Sequence, residues 1–372
     1  MAEIVHVPVM LDEVLSLLAP PRPDSLMLDC TLGEGGHAEA FLSRYPALRY
    51  AGVDADPRIQ AKAKERLKPF AGRVAFLSGY YDEVLADWVA GRLAQAEAEI
   101  GPASEKEMEP RLVASDRPDL VLFDLGISMH HYVEAGRGFG FGKDEPLDMR
   151  LSPFAPRSAA DIVNEEREEE LARIIYLYGE ERYSRRIART LVEARRSGRI
   201  QDSGRLAELV KSAVPGEYRH GRIHPATRTF QALRIAVNDE LGRAERGIGL
   251  AASLLAEGGI LCVISFHSLE DRISKTLLRG LSGRGPEAEK IMEAASECEK
   301  KASGGHAASR ASSTKEKKTP IIGISRPEPC FELVVKKALE PSPEETARNP
   351  ASRSAKLRAV RKIASGAGKA MP

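Results

Sequence analysis

The 372-residue chain is 42% hydrophobic and carries a formal net charge of +1, so it has enough apolar side chains for one large domain or two smaller ones. The sequence contains no run of about 18 apolar residues, which excludes a membrane span. Its first residues, MAEIVHVPVMLDEVL, lack the basic start of a signal peptide. The four cysteines lie far apart without a CxxC pair, which argues against zinc and a disulfide framework. We therefore expect a soluble cytoplasmic protein.

The charge is unevenly distributed although its total is close to zero. Seven arginines and a single acid, Glu193, lie between Arg182 and Arg199. A nearly neutral chain can still present a basic face to a nucleic acid. A solvated helix face is the alternative interpretation.

Short apolar segments alternate with helical patterns in the first third of the chain. The strand-like segments are SLMLDC (25–30), RYAGVDAD (49–56), RVAFLSG (73–79) and DLVLFDLG (119–126), followed much later by GGILCVISF (258–266) and CFELVVKKAL (330–339). Strands that alternate with helices predict an α/β fold with an open parallel sheet.

The alternation stops between Leu125 and Gly258, where a Gly- and Pro-rich loop precedes a series of helical patterns. We therefore predict a helical substrate-recognition domain over residues 133–240, inserted into a discontinuous α/β domain made of residues 1–132 and 241–372. Segments 96–118 and 295–320 are charged or rich in small polar residues, and we expect both to be flexible insertions.

The first predicted strand enters a helix through a turn with three glycines, Gly33, Gly35 and Gly36, followed by His37. Such a turn brings backbone amides and a helix N-terminus close to a nucleotide-type ligand. Gly33, Gly35 and Ala38 match the relaxed dinucleotide fingerprint G-x-G-x-x-A, so an NAD-dependent oxidoreductase is one interpretation and a plain tight turn is another. No Gly-Lys-Ser/Thr follows, which excludes a Walker-type phosphate loop.

Side chains at the ends of the first three strands favour a different cofactor. Asp29 ends the first strand, Asp54 ends the second and Tyr81 follows the third. Asp29 would repel a pyrophosphate but favour a cation, while Asp54 can accept hydrogen bonds from ribose hydroxyls. A tyrosine can pack against an adenine. Together these groups suit S-adenosylmethionine, which has an adenosine and two cationic groups but no phosphate, better than NAD.

Ten sequence blocks, in order along the chain, resemble a known family. The two most specific blocks are HPATRTFQALRIAVNDEL (224–241) and ISFHSLEDRISK (264–275). The others are HVPVMLDEVL (6–15), DCTLGEGGH (29–37), GVDADP (52–57), FDLGIS (123–128), RGFGF (137–141), PLDMR (146–150), YGEERYSRRIARTLVEAR (178–195) and NPASRSAKLRAVRK (349–362). Over nearly the whole chain they resemble the bacterial 16S ribosomal RNA cytosine-N4 methyltransferases, the MraW family.

The resemblance implies a class I, Rossmann-like, S-adenosylmethionine-dependent methyltransferase fold with an inserted helical domain. It implies methyl transfer to the exocyclic N4 of one cytidine in the decoding region of 16S ribosomal RNA, with the RNA or the small ribosomal subunit as partner. Monomer and dimer are both compatible with it. Block matching places the family's cofactor contacts on Gly35, Gly36, His37, Asp54, Tyr81, Asp124 and His131.

The chain departs from the family's pattern at two of these positions. Tyr81 stands where the family usually has Phe, and either ring can stack. The family typically continues Asp-Leu-Gly-Val-Ser-Ser-Pro-Gln, whereas this chain reads DLGISMHH (124–131), so His131 replaces Gln. A histidine can still form a hydrogen bond, but its charge depends on pH.

Cytosine N4 is a poor nucleophile because its lone pair is delocalised into the ring, so a catalyst must hydrogen-bond the amino group and allow loss of a proton. Asp124, at the end of the fourth predicted strand, is the candidate catalytic proton acceptor. A carboxylate that only positions the cofactor is the favoured alternative.

Candidate RNA contacts combine cations with aromatic or imidazole rings, which bind phosphates and unstacked bases. They are Arg137, Phe139, Arg228, Phe230, His267 and Arg353. Core packing is an equal interpretation of the phenylalanines, a surface salt bridge is the alternative for Arg228, and hydrogen bonding to Glu270 or Asp271 is the alternative for His267. A solvated helix is an equal interpretation of the segment around Arg353.

The altered SMHHY segment (128–132) motivates a second function, a non-catalytic rRNA-binding or ribosome assembly factor that retains the methyltransferase fold. Methyl transfer distinguishes the two functions.

Overall fold

The computed structural model describes residues 7–93, 112, 115–128, 131–132, 136–142, 144–221, 223–302 and 330–363. They fall into two compact units. The sheet unit contains Val7–Asp54, Ala63–Leu125 and the chain from Ala244 onward, and the helical unit contains Ala55–Lys62 and Gly126–Arg243. The sequence-based boundaries, with an insert at 133–240, remain a prediction.

Seven strands are present in the described part of the sheet unit: β1 (Leu26–Asp29), β2 (Arg49–Asp54), β3 (Val74–Ser78), β4 (Leu120–Asp124), β5 (Ile260–Ser265), β6 (Phe331–Leu333) and β7 (Lys356–Lys362). Their order is β3-β2-β1-β4-β5-β7-β6. The first five strands in this order run parallel to one another, whereas β7 is antiparallel to both β5 and β6. The predicted open α/β sheet is therefore confirmed, with an antiparallel edge in addition.

The described residues form fourteen α-helices. They are α1 (Leu11–Leu17), α2 (Gly36–Arg44), α3 (Pro57–Arg66), α4 (Tyr81–Val89), α5 (Ala159–Glu165), α6 (Glu168–Gly179), α7 (Ser184–Ala194), α8 (Ser203–Ala213), α9 (Gly216–Arg219), α10 (Thr227–Asn238), α11 (Glu240–Leu254), α12 (Ser268–Leu281), α13 (Ala288–Ala302) and α14 (Pro343–Arg348). Short 3₁₀ helices span Lys68–Arg73 and Pro350–Ser354. Within the described ranges, no helix is both long enough and apolar enough to cross a membrane.

Both faces of the sheet are buried, which explains why its parallel strands are continuous apolar runs. Successive residues of a strand point to opposite faces. In β4, Phe123 therefore joins a cluster with Trp88 and Ile248, whereas Leu122 joins a second cluster with Phe41 on the other face.

The register of the central strands brings the predicted site residues to one edge. Asp29 of β1 pairs with Leu122 of β4, and Asp124 pairs with Ile264 of β5. In β2, the partner of Asp54 is Ser78 of β3. The carboxyl ends of parallel strands lie at the same edge of a sheet, which is where ligands bind in open α/β folds.

The helical unit has an apolar core of its own. Helix α6 packs against α7 and α10, and α7 packs against α8. Leu171 and Ile175 of α6 meet Ile187 and Leu191 of α7 in this core. Helix α5 begins with a capping box, in which Asp161 N donates to Ser158 Oγ and Ser158 N donates to the Asp161 carboxylate.

Helix α13 includes the start of the segment expected to be a flexible insertion, since residues 295–302 are helical. Ile291 and Ala295 are one helical turn apart and pack against the core of the sheet unit. The charged composition concealed this apolar stripe. Residues 303–320 lie outside the described residues, as do 96–111 and 113–114 of the other expected insertion.

Strand β7 rules out one of the two interpretations of the segment around Arg353, a solvated helix, for residues 356–362. Leu357 and Ala359 are buried, whereas Lys356 and Arg358, each directly before one of them, are partly exposed. This alternation has the period of a strand rather than of a helix. Its backbone pairs with β5 from Ser265↔Lys356 to Ile260↔Arg361.

Truncating the buried Phe41 to alanine is expected to lower the free energy of unfolding by about 3–5 kcal/mol, through lost burial and an unfilled cavity. Urea unfolding followed by the fluorescence of Trp88, the single tryptophan, reports on the sheet unit. The same truncation at Phe154, which is 89% exposed, is the control and should change stability by less than about 0.5 kcal/mol. Equal effects at both positions would contradict the assignment of Phe41 to the core.

Candidate functional site

The turn between β1 and α2 curves tightly and is tied to the end of β2. Gly33 and Gly35 have φ angles of +55° and +79°, a left-handed conformation that costs glycine little. Gly35 is also the N-cap of α2. The amide of Gly33 donates a hydrogen bond of 2.9 Å to Asp54 Oδ2. The turn therefore presents backbone amides at a helix N-terminus, with a carboxylate beside them.

A second feature of this turn is the absence of a side chain at Gly36, the first residue of α2. A Cβ atom at this position would lie 2.7 Å from Pro8 Cγ, closer than packed carbon atoms approach. Only glycine allows the helix to start here against the Pro8 ring. The glycines of this turn therefore serve two purposes: they expose backbone amides, and they allow close packing against Pro8.

Thr31 links the buried carboxylate of Asp29 to the backbone of the partly buried Asp124. Its amide donates to Asp29 Oδ1 at 3.0 Å, and its Oγ1 accepts a hydrogen bond of 2.7 Å from the amide of Asp124. The Oη of Tyr50 donates to Asp29 Oδ2 at 2.8 Å. The ends of β1 and β4 are thus joined by side-chain hydrogen bonds as well as by the sheet.

Burial sets the protonation of both carboxylates. It raises the pKa of Asp29 to about 6, although the hydrogen bonds from Thr31 and Tyr50 act in the opposite direction. Burial also raises the pKa of Asp124 well above its usual range, and the negative charges of Asp29 and Glu270 add to this effect. Asp124 Oδ1 is buried and has no hydrogen-bond partner among the described residues. A cation or a hydrogen-bond donor placed against Oδ1 would stabilise the ionised form.

His37 faces Asp124 from the first turn of α2. Its Nε2 lies 3.1 Å from the carbonyl oxygen of Val9, and its Nδ1 lies 3.8 Å from Asp124 Oδ2. Because a carbonyl oxygen can only accept, Nε2 carries a proton. In the neutral ring, Nδ1 is then an acceptor directed toward Asp124.

Tyr81 and His267 follow β3 and β5 at the same edge. The Tyr81 ring is half-buried and meets Phe123 edge-on, with 5.4 Å between centroids. A Cβ at Gly247 would lie 2.5 Å from Tyr81 Cδ2, so the ring rests on the backbone of α11. His267 is the N-cap of α12, and its Nε2 lies 3.1 Å from Glu270 Oε1. The amide of Glu270 donates to His267 Nδ1 at 3.4 Å, so the structural hydrogen bond considered for His267 is present, and its RNA contact remains a prediction.

In the helical unit, the buried Asp56 contacts two of the predicted site residues, Arg137 and His131. Sequence reasoning did not identify Asp56. Arg137 donates to Asp56 and to the carbonyl oxygens of Arg150 and Leu151. His131 Nε2 lies 3.4 Å from Asp56 Oδ2. Burial alone would raise the pKa of Asp56, but hydrogen bonds from His131 and Arg137 hold it below its usual range. Asp56 is the second aspartate of GVDADP, and nothing local to that block signals these partners.

The aromatic residues of the helical unit divide into buried and partly exposed rings. Phe139 and Phe230 are each 4% exposed and belong to the core, which favours the packing interpretation of both. Phe141 is partly exposed, stacks on His224 at 4.3 Å and meets Phe230 edge-on at 5.2 Å. The ring available for stacking in the RGFGF block is therefore Phe141, whereas the sequence selected Phe139.

The two remaining predicted cations are exposed. Arg228 donates a hydrogen bond of 3.0 Å to the carbonyl oxygen of Glu180, at the end of α6, rather than forming the salt bridge that was its alternative. Arg353 belongs to the sheet unit and lies on the 3₁₀ helix Pro350–Ser354. Both side chains are accessible to an anion.

The sequence model of the MraW methylase family matches residues 3–363. The chain belongs to this family. Ribosomal RNA small subunit methyltransferase H of Treponema denticola is 46% identical over 359 residues, which are 96% of this chain and 98% of that protein. The protein of the same name from Paramagnetospirillum magneticum is 42% identical over 363 residues, 97% of each chain. The crystal structure of N-methyltransferase NodS from Bradyrhizobium japonicum covers 95% of this chain and 94% of its own, at 10% identity and a TM-score of 0.34.

Membership of the MraW methylase family, together with the order of the sheet, confirms the class I methyltransferase fold and the S-adenosylmethionine cofactor. The donor set fits this cofactor. Asp124 Oδ1 offers an unused buried acceptor to a cationic group, and Asp54 ends β2, where a ribose is bound in such sheets. The residue assignments within the site remain predictions.

The raised pKa of Asp29 predicts a specific pH dependence of stability. Between about pH 4 and the folded-state pKa of about 6, the folded chain binds more protons than the unfolded chain, so the free energy of unfolding falls as pH rises. The stabilisation is fully present below about pH 4 and is lost through pH 6. Relative to Asp29→Asn, the loss is about 3 kcal/mol over these two pH units, measured by urea unfolding at each pH.

Tyr50→Phe is the control for this titration. It keeps the Asp29 carboxyl group but removes a hydrogen bond that lowers its pKa, so the pH dependence should persist with its midpoint at higher pH. If the stability curves of the wild type and Asp29→Asn are parallel from pH 4 to 7, the titration of Asp29 in this range is disproved.

Proposed function

We propose that this chain methylates the exocyclic N4 of a specific cytidine in the decoding region of 16S ribosomal RNA, with S-adenosylmethionine as donor. The observation that carries the proposal is the buried, unused acceptor Asp124 Oδ1 beside the glycine turn. A site that transfers a methyl group to an amino nitrogen needs such an acceptor. The names of the relatives, ribosomal RNA small subunit methyltransferase H, support RNA of the small subunit as substrate.

In this proposal the turn and the strand ends hold the cofactor. The amides of Gly35 and Gly36 lie at the N-terminus of α2, Asp54 accepts from the ribose hydroxyls, and the Tyr81 ring packs against the adenine. His37 and Asp124 face the methionine part of the cofactor, whose ammonium charge favours a carboxylate nearby. His131, the last residue of the set, lies against Asp56.

The bound cofactor supplies an electrophilic methyl group, and its transfer forms the N4–C bond, breaks the C–S bond and releases one proton from N4. The protein contributes mainly position, by holding donor and acceptor in line. Asp124 Oδ1 accepts a hydrogen bond from the cofactor or from the target amino group and thereby orients that group. Because burial raises its pKa, Asp124 is also a stronger base than an exposed carboxylate.

The RNA is held by cations and by partly exposed rings. Arg228 and Arg353 are accessible for phosphate contact, and the Phe141–His224 stack offers a platform for an unstacked base. Phe139 and Phe230 are buried and Arg137 is partly buried. Phe230 meets Phe141 edge-on and in this proposal supports the platform, while Arg137 packs over Phe139. His267 lies at the end of β5, where it orients the target base.

A methyl-transfer assay tests the function. Small ribosomal subunits from cells that lack this protein are incubated with the protein and methyl-labelled S-adenosylmethionine, and the RNA is digested to nucleosides. We expect label in N4-methylcytidine. Label in another nucleoside would overturn the N4 assignment. No label with intact binding of cofactor and RNA would favour the non-catalytic rRNA-binding or assembly factor, for which the altered segment 128–132 is the motivation.

Replacing Asp124 with Asn distinguishes positioning from proton transfer. If Asp124 positions the cofactor through charge, Asp124→Asn should raise the Kd for S-adenosylmethionine by about tenfold or more, because hydrogen bonds to charged groups contribute about 1.5–3 kcal/mol. At saturating cofactor, kcat should then fall much less. Asp12→Asn, at an exposed position in α1, is the control. An unchanged Kd with a kcat at least about a hundredfold lower would instead identify Asp124 as the base.

A further inference from the structure

Helix α7 has two faces of opposite character. Ile187, Ala188 and Leu191 are buried in the core of the helical unit. Arg185, Arg186 and Arg189 are exposed on the other side of the helix. These three residues are pairwise one, three and four positions apart. In a helix, this spacing places their guanidinium groups on one face, about 100° wide.

The row of cations is extended at the N-terminus of α7 by Arg182. Its guanidinium lies 4.8 Å from the ring centroid of Tyr183 and 5.2 Å from that of Tyr218. The buried Glu181 fixes these rings, because it accepts hydrogen bonds from Tyr218 Oη at 2.6 Å and from the amide of Tyr183 at 2.8 Å. Arg182 is therefore held at the surface by cation–π contacts, which leave its N–H groups free to bind an anion.

Among the other arginines that the structure describes in the helical unit, half form an ion pair with an acid. Exposed examples are Arg173 with Glu170 at 2.7 Å and Arg205 with Glu208 at 3.6 Å, and Arg234 pairs with Glu240 at 2.8 Å.

The arginines on the exposed face of α7 are paired with fewer acids. Arg185 and Arg186 have no ion pair with any described residue, and Arg189 has a single one, 3.6 Å from Glu168. Like charges one turn apart destabilise a helix, so this row costs stability unless an anion binds it.

We propose that the exposed face of α7, with Arg182, Arg185, Arg186 and Arg189, binds the ribose–phosphate backbone of the substrate RNA without reading its sequence. The proposal rests on the RNA methyltransferase function proposed above and adds the surface that holds the RNA. At a rise of about 1.5 Å per residue, the row spans about 10 Å. That length matches about three phosphates of one strand.

An anionic membrane is the other extended surface that a basic helix can bind. A helix that lies on a membrane inserts its apolar face among the lipids. The apolar face of α7 is already buried in the protein core, which leaves only the arginines for binding. A guanidinium group binds phosphate oxygens in a bidentate manner, and an RNA backbone provides them in a row.

The double variant Arg185→Gln/Arg186→Gln tests the proposal, and Arg173→Gln/Arg205→Gln is the matched control, since it removes the same charge from exposed helix positions. Filter binding to a 16S ribosomal RNA transcript, without cofactor, gives the Kd at several salt concentrations. Circular dichroism and thermal unfolding verify that each variant is folded. Steady-state methyl transfer to small ribosomal subunits gives kcat and KM.

We expect the Arg185/Arg186 variant to bind RNA about tenfold or more weakly, with the slope of log Kd against log salt reduced by about two, one for each lost phosphate contact. In methyl transfer its KM should rise with kcat unchanged, because contacts far from the reacting atoms bind ground state and transition state equally. The control variant should stay within about twofold of the wild type.

Three results would overturn the proposal: unchanged affinity and salt slope in the Arg185/Arg186 variant, equal losses in both double variants, or a loss of binding to anionic vesicles without a loss of binding to RNA. Because the binding measurement needs neither cofactor nor turnover, it is separate from the proposed function. If the wild type binds RNA through α7 but produces no N4-methylcytidine, the methylation assignment fails and the RNA-binding surface stands.

Discussion

The removal from water of the Asp29 carboxyl group and of Asp124 Oδ1, at the ends of neighbouring strands, is the constraint on which the site depends. Asp29 and Asp124 end β1 and β4, and each loses hydration that the fold must replace. For Asp29 the replacement comes from Thr31 and Tyr50. For Asp124 the described residues leave one oxygen without a partner. The site therefore carries an unmet requirement for a donor or a cation, and a ligand with a cationic group satisfies it.

The same constraint connects the glycine turn to the chemistry. Thr31 lies two residues after Asp29 and accepts a hydrogen bond from the amide of Asp124, so the path of the turn is determined before any ligand binds. The left-handed glycines then direct the chain into α2, whose first turn brings His37 within 3.8 Å of Asp124. Preorganised groups of this kind need no rearrangement when charge develops in the reaction.

Features that follow from local pattern were predictable from the sequence, and features that depend on distant partners were not. The parallel strands were predictable because each is an apolar run, and the acids at their ends because such ends share an edge. Strand β7 is defined by pairing with β5, and the role of Asp56 by contacts with Arg137, 81 positions away. The RNA contact of Phe139 remains a prediction, and its burial next to the partly exposed Phe141 could not be read from the sequence, because burial in a core depends on packing that neither residue's neighbours reveal.

Unneutralised charge is what distinguishes a binding surface from a structural one in both units. The net charge of +1 follows from 55 basic and 54 acidic residues, and many of these pair in the fold, such as Arg150 with Asp148 at 2.6 Å. Where pairing is incomplete, the sign of the excess identifies the ligand. Acids at the edge of the sheet suit a cationic cofactor, and the arginine face of α7 suits a polyanion. An enzyme that transfers a group from a sulfonium donor to RNA requires both, and selection for that activity would maintain two sites whose excess charges lower stability when no ligand is bound.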